Sequence, residues 1–384
     1  MATAVYAYPW NFHDLDANVA RIRALGADEV TLAASYHAGK FIHPGDPRAR
    51  VYFPEDGTVY FQPRRGYGLL SPQVAAVTQA RDVLAELCER DDIGVNAWTV
   101  LNHNTRLGMA HPELAARNAF GDVYPYSLCP SQPEVRQYGV TLCADIAEGY
   151  GVRRLLLETP GWLTYGHGFH HEFAQVPSNP WLDAMLGLCL CDRCRAGAKA
   201  AGIDAEGLAA RIRHAVDVFL DGDAPAPSLD AWSAADPDLA AFHAFRCEVV
   251  TSLVADIRAE VNPAVAVKVI STCQRPHATA WLEGHDLAAL DAASDGLELP
   301  LYQPDAAAVL ADARYVLDRV PAARTSVILR PGHPDLTTET DLVAALDGLK
   351  AHGVTDFAFY NLGMLRPADL RRLQHVLTRQ VAHV

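Results

Sequence analysis

Eight short apolar runs, most followed by a stretch with helical periodicity, constrain this chain more than any other feature. The runs are Ala4–Pro9, Glu29–Tyr36, Gly94–Leu101, Arg154–Glu158, Val265–Thr272, Gly296–Tyr302, Ser326–Arg330 and Asp356–Asn361. They are nearly continuous in Val, Ile, Leu and aromatics rather than alternating with polar residues. That pattern belongs to strands covered on both faces, and so to a parallel sheet. The helical periodicity is clear after the first run, where Leu15, Val19, Ile22 and Leu25 recur at helical spacing and Gly26 follows as a stop. The same reading predicts helices over Ser71–Glu89, Gln132–Tyr150, Asp236–Val261, Asp305–Val320, Thr338–His352 and Pro367–Val381.

Eight strand–helix units in 384 residues predict one closed (β/α)8 TIM barrel, in the α/β class, rather than two or three smaller domains. Two segments exceed the minimal unit: 38–70 after strand two and 159–235 after strand four. Both leave the carboxyl end of a strand, where barrel enzymes build their sites. They are expected to be insertions at the active face within a single domain over 1–384.

Charge and composition narrow the class of function. The formal net charge is −14 and no run of Lys or Arg occurs, which disfavours nucleic acid and anionic membranes as partners. No stretch of about 18 apolar residues is present to span a bilayer. Met1 to Trp10 lacks the basic and apolar regions of a signal peptide, so a cytoplasmic location is expected. A homo-oligomer stays open on composition. The eight cysteines do not read as a secreted disulfide framework, and in a reducing compartment clustered thiols point to a metal.

The sharpest local motif is Cys189-Leu-Cys191-Asp-Arg-Cys194. Three thiols within six residues are able to converge on one tetrahedral zinc ion. Cys129 is the leading fourth ligand and Cys143 the next. Four cysteines would close the site, making the zinc structural. Cys88, Cys247 and Cys273 lack such spacing and read as packing residues.

Arg154-Leu-Leu-Leu-Glu158 is the second feature. Strand alternation turns Leu156 and Glu158 into the barrel and Leu155 and Leu157 toward the helices. A carboxyl group over an apolar layer has a raised pKa, which suits a general acid. Other strand ends offer His37, Trp98, Asn102, His103, Tyr302, Arg330 and Asn361, a set of aromatic faces and polar groups that suits a polyhydroxylated ring. His167, His170, His171 and Glu172 follow Glu158 in the same loop and are expected to contact substrate, bind a metal or serve loop structure. Glu298 shares the inward parity of Tyr302, and is either the partner of a buried Lys268 or a second carboxylate opposite Glu158.

Ser127-Leu-Cys129-Pro-Ser-Gln-Pro-Glu-Val-Arg136, then a helix, then the strand ending in Glu158, then the Cys189/Cys191/Cys194 motif, resembles the middle of family 42 β-galactosidases. The likeness runs from Pro112 to Cys194. It implies a (β/α)8 glycoside hydrolase, a structural Zn2+ held by Cys129, Cys189, Cys191 and Cys194, and Glu158 as acid/base. Leu157 stands where that family has an Asn before the acid/base Glu. Arg330 ends strand seven where that family has its nucleophilic Glu. The implied activity is therefore hydrolysis of a small glycoside or sugar derivative, with galactosidase specificity not carried over. The second catalytic carboxylate is Glu298, Asp305 or Glu172. Arg330 in the nucleophile's place hints at an anionic substrate group. Two other readings fit the same residues: a non-hydrolytic sugar conversion run by histidines and a metal, and a carbohydrate-binding barrel without catalysis.

Overall fold

The computed structural model describes residues 2–46, 48–168, 175–222, 224–273 and 276–381. Its centre is a barrel of eight parallel strands, β1 Thr3–Ala7, β2 Glu29–Tyr36, β3 Gly94–Val100, β4 Arg154–Glu158, β5 Ala266–Ile270, β6 Leu297–Pro300, β7 Thr325–Leu329 and β8 Asp356–Phe359. Each pairs with its sequence neighbours, and β1 closes the sheet by pairing with both β2 and β8. The chain thus forms the expected α/β TIM barrel. Closure leaves no unpaired strand edge in the barrel wall.

The strands fold this way because both of their faces are covered. Outward residues such as Leu155, Leu157, Val267, Val269, Leu297 and Leu299 are all 0% exposed and pack into the clusters beneath the helices. Trimming one such leucine to alanine would cost about 2–5 kcal/mol. The surrounding helices include Pro133–Gly149, Pro237–Glu260, Ala306–Leu317, Glu339–Ala351 and Pro367–Val381. Their ends follow local chemistry: Asp236 caps the long Pro237–Glu260 helix by accepting from Asp238 N and Leu239 N. The predicted helix Ser71–Glu89 is instead two short ones, Ala76–Ala80 and Val83–Cys88. Asp82 breaks the run by capping the second, its side chain accepting from Ala85 N.

Inside the barrel, side chains from alternate strands meet in layers. Tyr6, Trp98, Ile270 and Ile328 come from the odd-numbered strands. Glu158, Pro300 and Tyr360 lie above them toward the carboxyl ends, and Leu156, Glu298 and Ala358 below. The lowest interior is polar: Glu29 binds Arg154 at 3.1 Å and accepts from Asn96 Nδ2 at 2.9 Å.

Three excursions rise from the carboxyl ends. After β2 the chain forms small pairings, Phe41–Ile42 with Val51–Tyr52, and Thr58–Val59 against the end of β2. After β3 a hairpin, Ala115–Arg117 with Val123–Leu128, precedes the Pro133–Gly149 helix. After β4 come the helices Pro180–Gly187, Asp192–Ala200, Ala205–Leu220 and Leu229–Ala235. The hairpin after β3 lacked the length signal that marked the other two. No helix among the described residues is long and apolar enough to cross a membrane.

Candidate active site

A cavity of about 280 Å³ opens at the carboxyl end of the barrel. Its floor is the Tyr6, Trp98, Ile270 and Ile328 layer, and Glu158, Tyr36, Tyr302, Arg330, Tyr360 and His167 stand around it. That volume is at the small end of ligand sites and fits a small molecule or one ring of a longer one.

Glu158 is the centre of its chemistry. β4 ends on this residue, so parity and the barrel wall together aim its carboxyl into the cavity. Burial pushes its pKa up to about 7. Trp98 Nε1 donates to Oε2 at 2.5 Å, and the Cys273 thiol lies 3.7 Å from Oε1. Both contacts favour the ionised form and moderate the rise, whereas the nearby charge of Glu283 adds to it. Glu283 is itself 1% exposed and accepts from Thr272 Oγ1 at 2.7 Å and from Cys273 N at 3.0 Å.

Hydroxyls ring the same space. Tyr8 donates to Tyr36 at 3.1 Å, and its oxygen lies 2.8 Å from that of Tyr360. Burial holds Tyr6, Tyr8, Tyr36 and Tyr302 well above the ordinary phenol pKa, so these groups stay protonated and able to donate near neutrality. The Arg330 guanidinium sits 4.3 Å over the Tyr302 ring, and its Nε lies 2.9 Å from Asp335 Oδ2.

Of the three candidates for the second carboxylate, Glu298 lies one layer beneath the cavity floor. It is 2% exposed, accepts from Tyr6 Oη at 2.7 Å and from Ser326 Oγ at 2.9 Å, and does not line the cavity. Lys268 shares that layer's electrostatics but bonds Ser326 at 3.4 Å. Asp305 stands outside the cavity as the exposed cap of the Ala306–Leu317 helix, accepting from Ala308 N at 2.9 Å. Glu172, with His170 and His171, lies outside the described residues.

The histidines gather next door. The His37 ring stacks on His103 with centroids 3.9 Å apart, and His167 meets His103 edge-on at 5.1 Å. All three line a second cavity of about 370 Å³ that shares Tyr36 and His167 with the first. Burial lowers the His37 pKa to about 4, which leaves its imidazole neutral. Asn102 does not face either cavity. Its Nδ2 donates to Pro160 O at 2.6 Å, which pins the chain leaving β4. Asn361 is 1% exposed at the end of β8 and accepts from Gly363 N at 3.0 Å.

The four cysteines of the expected metal site are brought together. Cys129 Sγ lies 3.5 Å from Cys194, 3.7 Å from Cys191 and 3.8 Å from Cys189, and all four sulfurs lie within 4.8 Å of one another. Zinc–sulfur bonds of about 2.3 Å place tetrahedral sulfurs about 3.8 Å apart, so the donor set fits zinc. The spacing also excludes a disulfide, whose sulfurs approach to about 2.05 Å. Cys143 lies in the middle of the Pro133–Gly149 helix and is not among the four.

Several features of the site were missed by sequence reasoning. Cys273 lines the cavity against Glu158, where it had read as a packing residue. Tyr6 and Tyr8 were legible in principle, because they share one parity through β1 and the residue that follows it. A Ser271–His277–Asp312 array was also missed: Ser271 Oγ lies 2.8 Å from His277 Nε2, and His277 Nδ1 lies 2.9 Å from Asp312 Oδ2. It has the connectivity of a nucleophile triad. Ser271 and His277 are 0% and 1% exposed, so the array ties the segment after β5 to the Ala306–Leu317 helix rather than meeting a substrate.

No protein-family model matches this chain, and no curated protein matches it. Among solved structures, the glycoside hydrolase domain of PgaB (BpsB) from Bordetella bronchiseptica is similar over 98% of this chain and 99% of that chain, with a TM-score of 0.60 and 16% sequence identity. The spore cortex-lytic enzyme SleL from Bacillus cereus (TM-score 0.49, 8% identity, 98% of this chain and 74% of that one) is also similar. So is a chitinase from Chromobacterium violaceum (TM-score 0.43, 12% identity, 98% of this chain and 99% of that one). At such identity the PgaB likeness establishes a shared fold: the chain is a (β/α)8 barrel of the kind seen in that glycoside hydrolase domain.

Proposed function

We propose that this protein is a glycoside-hydrolase-like enzyme acting on a small glycoside or sugar derivative, with Glu158 as general acid. The observation that carries this reading is a carboxyl group at the end of β4, aimed into the cavity, whose pKa is raised by burial to about 7, so that a large share keeps its proton below neutrality. A proton held beside a cavity lined by indole, phenol and guanidinium groups serves the departure of a glycosidic oxygen. The fold shared with the PgaB glycoside hydrolase domain is consistent with it.

Hydrolysis by two carboxylates needs a partner about 5–9.5 Å from the acid. Among the described residues that line the cavity, Glu158 is the only carboxylate. Glu298 is screened by Tyr6 and Asp305 is outside, so Glu172 is the candidate that stays. Turnover of a panel of nitrophenyl glycosides by wild type, Glu158→Gln and Glu172→Gln tests the scheme. Loss in both variants on a substrate that wild type cleaves supports it, and full activity in Glu158→Gln sinks it.

The His37–His103–His167 cluster favours one alternative, a non-hydrolytic sugar conversion with imidazole as the proton carrier. An unsaturated or isomerised product, with no water incorporated, would select it. We also propose that Cys129, Cys189, Cys191 and Cys194 hold a structural zinc ion. With four thiolate donors the ion would have no open position, and its role would be to join the loop after β3 to the excursion after β4.

A further inference from the structure

We propose that the cavity recognises a sugar carrying a carboxylate, a uronic acid, through the Arg330 guanidinium. The inference rests on the sugar-binding reading of this cavity. Arg330 is the only arginine or lysine among the described residues that line it. The guanidinium is held on two sides: Tyr302 packs under its face at 4.3 Å, and Asp335, which is 3% exposed, places Oδ2 2.9 Å from Nε as an ion pair without hydrogen-bond geometry. Neither Nη1 nor Nη2 is hydrogen-bonded to a described residue, and neither is a buried atom left without a partner. With the side chain 23% exposed and lining the cavity, these two donors face the space a ligand would fill. A planar pair of N–H donors held rigid by stacking matches the two oxygens of a carboxylate.

The neighbours fit the same ligand. The only carboxyl group lining the cavity, among the described residues, is Glu158, which is largely protonated below neutrality and so does not repel an anion there. The surrounding tyrosines are donors or apolar faces. A sugar phosphate would share the anionic oxygens, but a dianion is normally met by several cations or by a helix N-terminus, and here one guanidinium is already half balanced by Asp335. The site therefore suits a monoanion.

Isothermal titration of the full chain with D-glucuronate, D-galacturonate, D-glucose, D-galactose and glucose 6-phosphate tests this. At least one uronate is expected to bind about tenfold to a hundredfold more tightly than its neutral counterpart, the usual range for one charge-assisted pair. Arg330→Gln is expected to abolish that preference. Arg330→Lys, which keeps the charge and the Asp335 contact but not the fork, should retain only part of it. Thermal unfolding of each variant identifies one that fails to fold. Equal affinity for uronate and neutral sugar in wild type overturns the proposal, as does a preference that survives in folded Arg330→Gln. Tighter binding of glucose 6-phosphate would reject the carboxylate in favour of a phosphate. Uronate binding that depends on Arg330 in a protein that cleaves no glycoside would uphold this inference and defeat the hydrolytic one.

Discussion

Trp98 and Glu158 stand on adjacent strands, β3 and β4, and the indole Nε1 donates to the carboxyl Oε2 at 2.5 Å. The contact ties the acid to the cavity floor and sets its protonation from one side. Burial raises the Glu158 pKa, and the indole bond pulls against it by favouring the charged form. Replacing Trp98 with Phe removes that bond and keeps an aromatic floor. The alkaline limb of the kcat/KM profile should then move above pH 7, and an unmoved limb would show that the bond does not govern the acid.

Wild-type activity should fall as pH rises through about 7, as Glu158 loses the proton it must donate. Glu158→Gln should lower kcat by about 10²–10⁴ on substrates with poor leaving groups and much less on activated ones. Stability should also fall as pH rises, over a window that begins at lower pH. A carboxyl group whose folded pKa is raised favours folding most below its unfolded pKa, and that benefit is lost as pH climbs to about 7. Glu158→Gln does not ionise, so it should melt higher than wild type above pH 7. A lower Tm there would contradict the assigned burial cost.

Glu298 offers a contrast on the same barrel. It lies beneath Tyr6 and bonds Tyr6 and Ser326. Glu298→Gln keeps the shape and should leave kcat within about threefold of wild type while shifting Tm, because its cost falls on a buried network rather than on bound substrate. A loss of a hundredfold or more with an unchanged fold would return Glu298 to the catalytic set.

Cys191→Ser should remove the metal from purified protein, as read by elemental analysis, and lower Tm by at least about 5 °C. Wild type should carry one zinc per chain. Absence of metal from wild type, with all four thiols free to a titrating reagent, would reject the zinc site.

The strands were legible because burial on both faces writes an apolar run that no helix or loop shares. Glu29–Tyr36 and Arg154–Glu158 are read to the residue, and the others differ by one to three residues where the chain bends out of the wall. Parity also placed Leu156 and Glu158 inside. Depth was not legible: Glu158 and Glu298 have the same inward parity, and only the stagger of the closed barrel puts one above the Tyr6 layer and the other below it. Nor was pairing across loops. Asp335, five residues beyond Arg330, and Cys273, beyond the end of β5, reach the site through turns that leave no periodic trace.

The cysteine cluster brings together residue 129, just after the hairpin that follows β3, and Cys189, Cys191 and Cys194, which run from the link before the Asp192–Ala200 helix into its first turn. The chain between these points includes β4, Glu158 and His167, so the acid lies on a segment whose two ends the four thiols bring together. A reagent that alkylates these thiols, or that would strip the proposed zinc, is expected to disturb the acid's surroundings without entering the cavity. In an inhibitor screen such a compound would register as a hit on the active site. A counter-screen with added zinc and a reducing agent would separate the two kinds of hit.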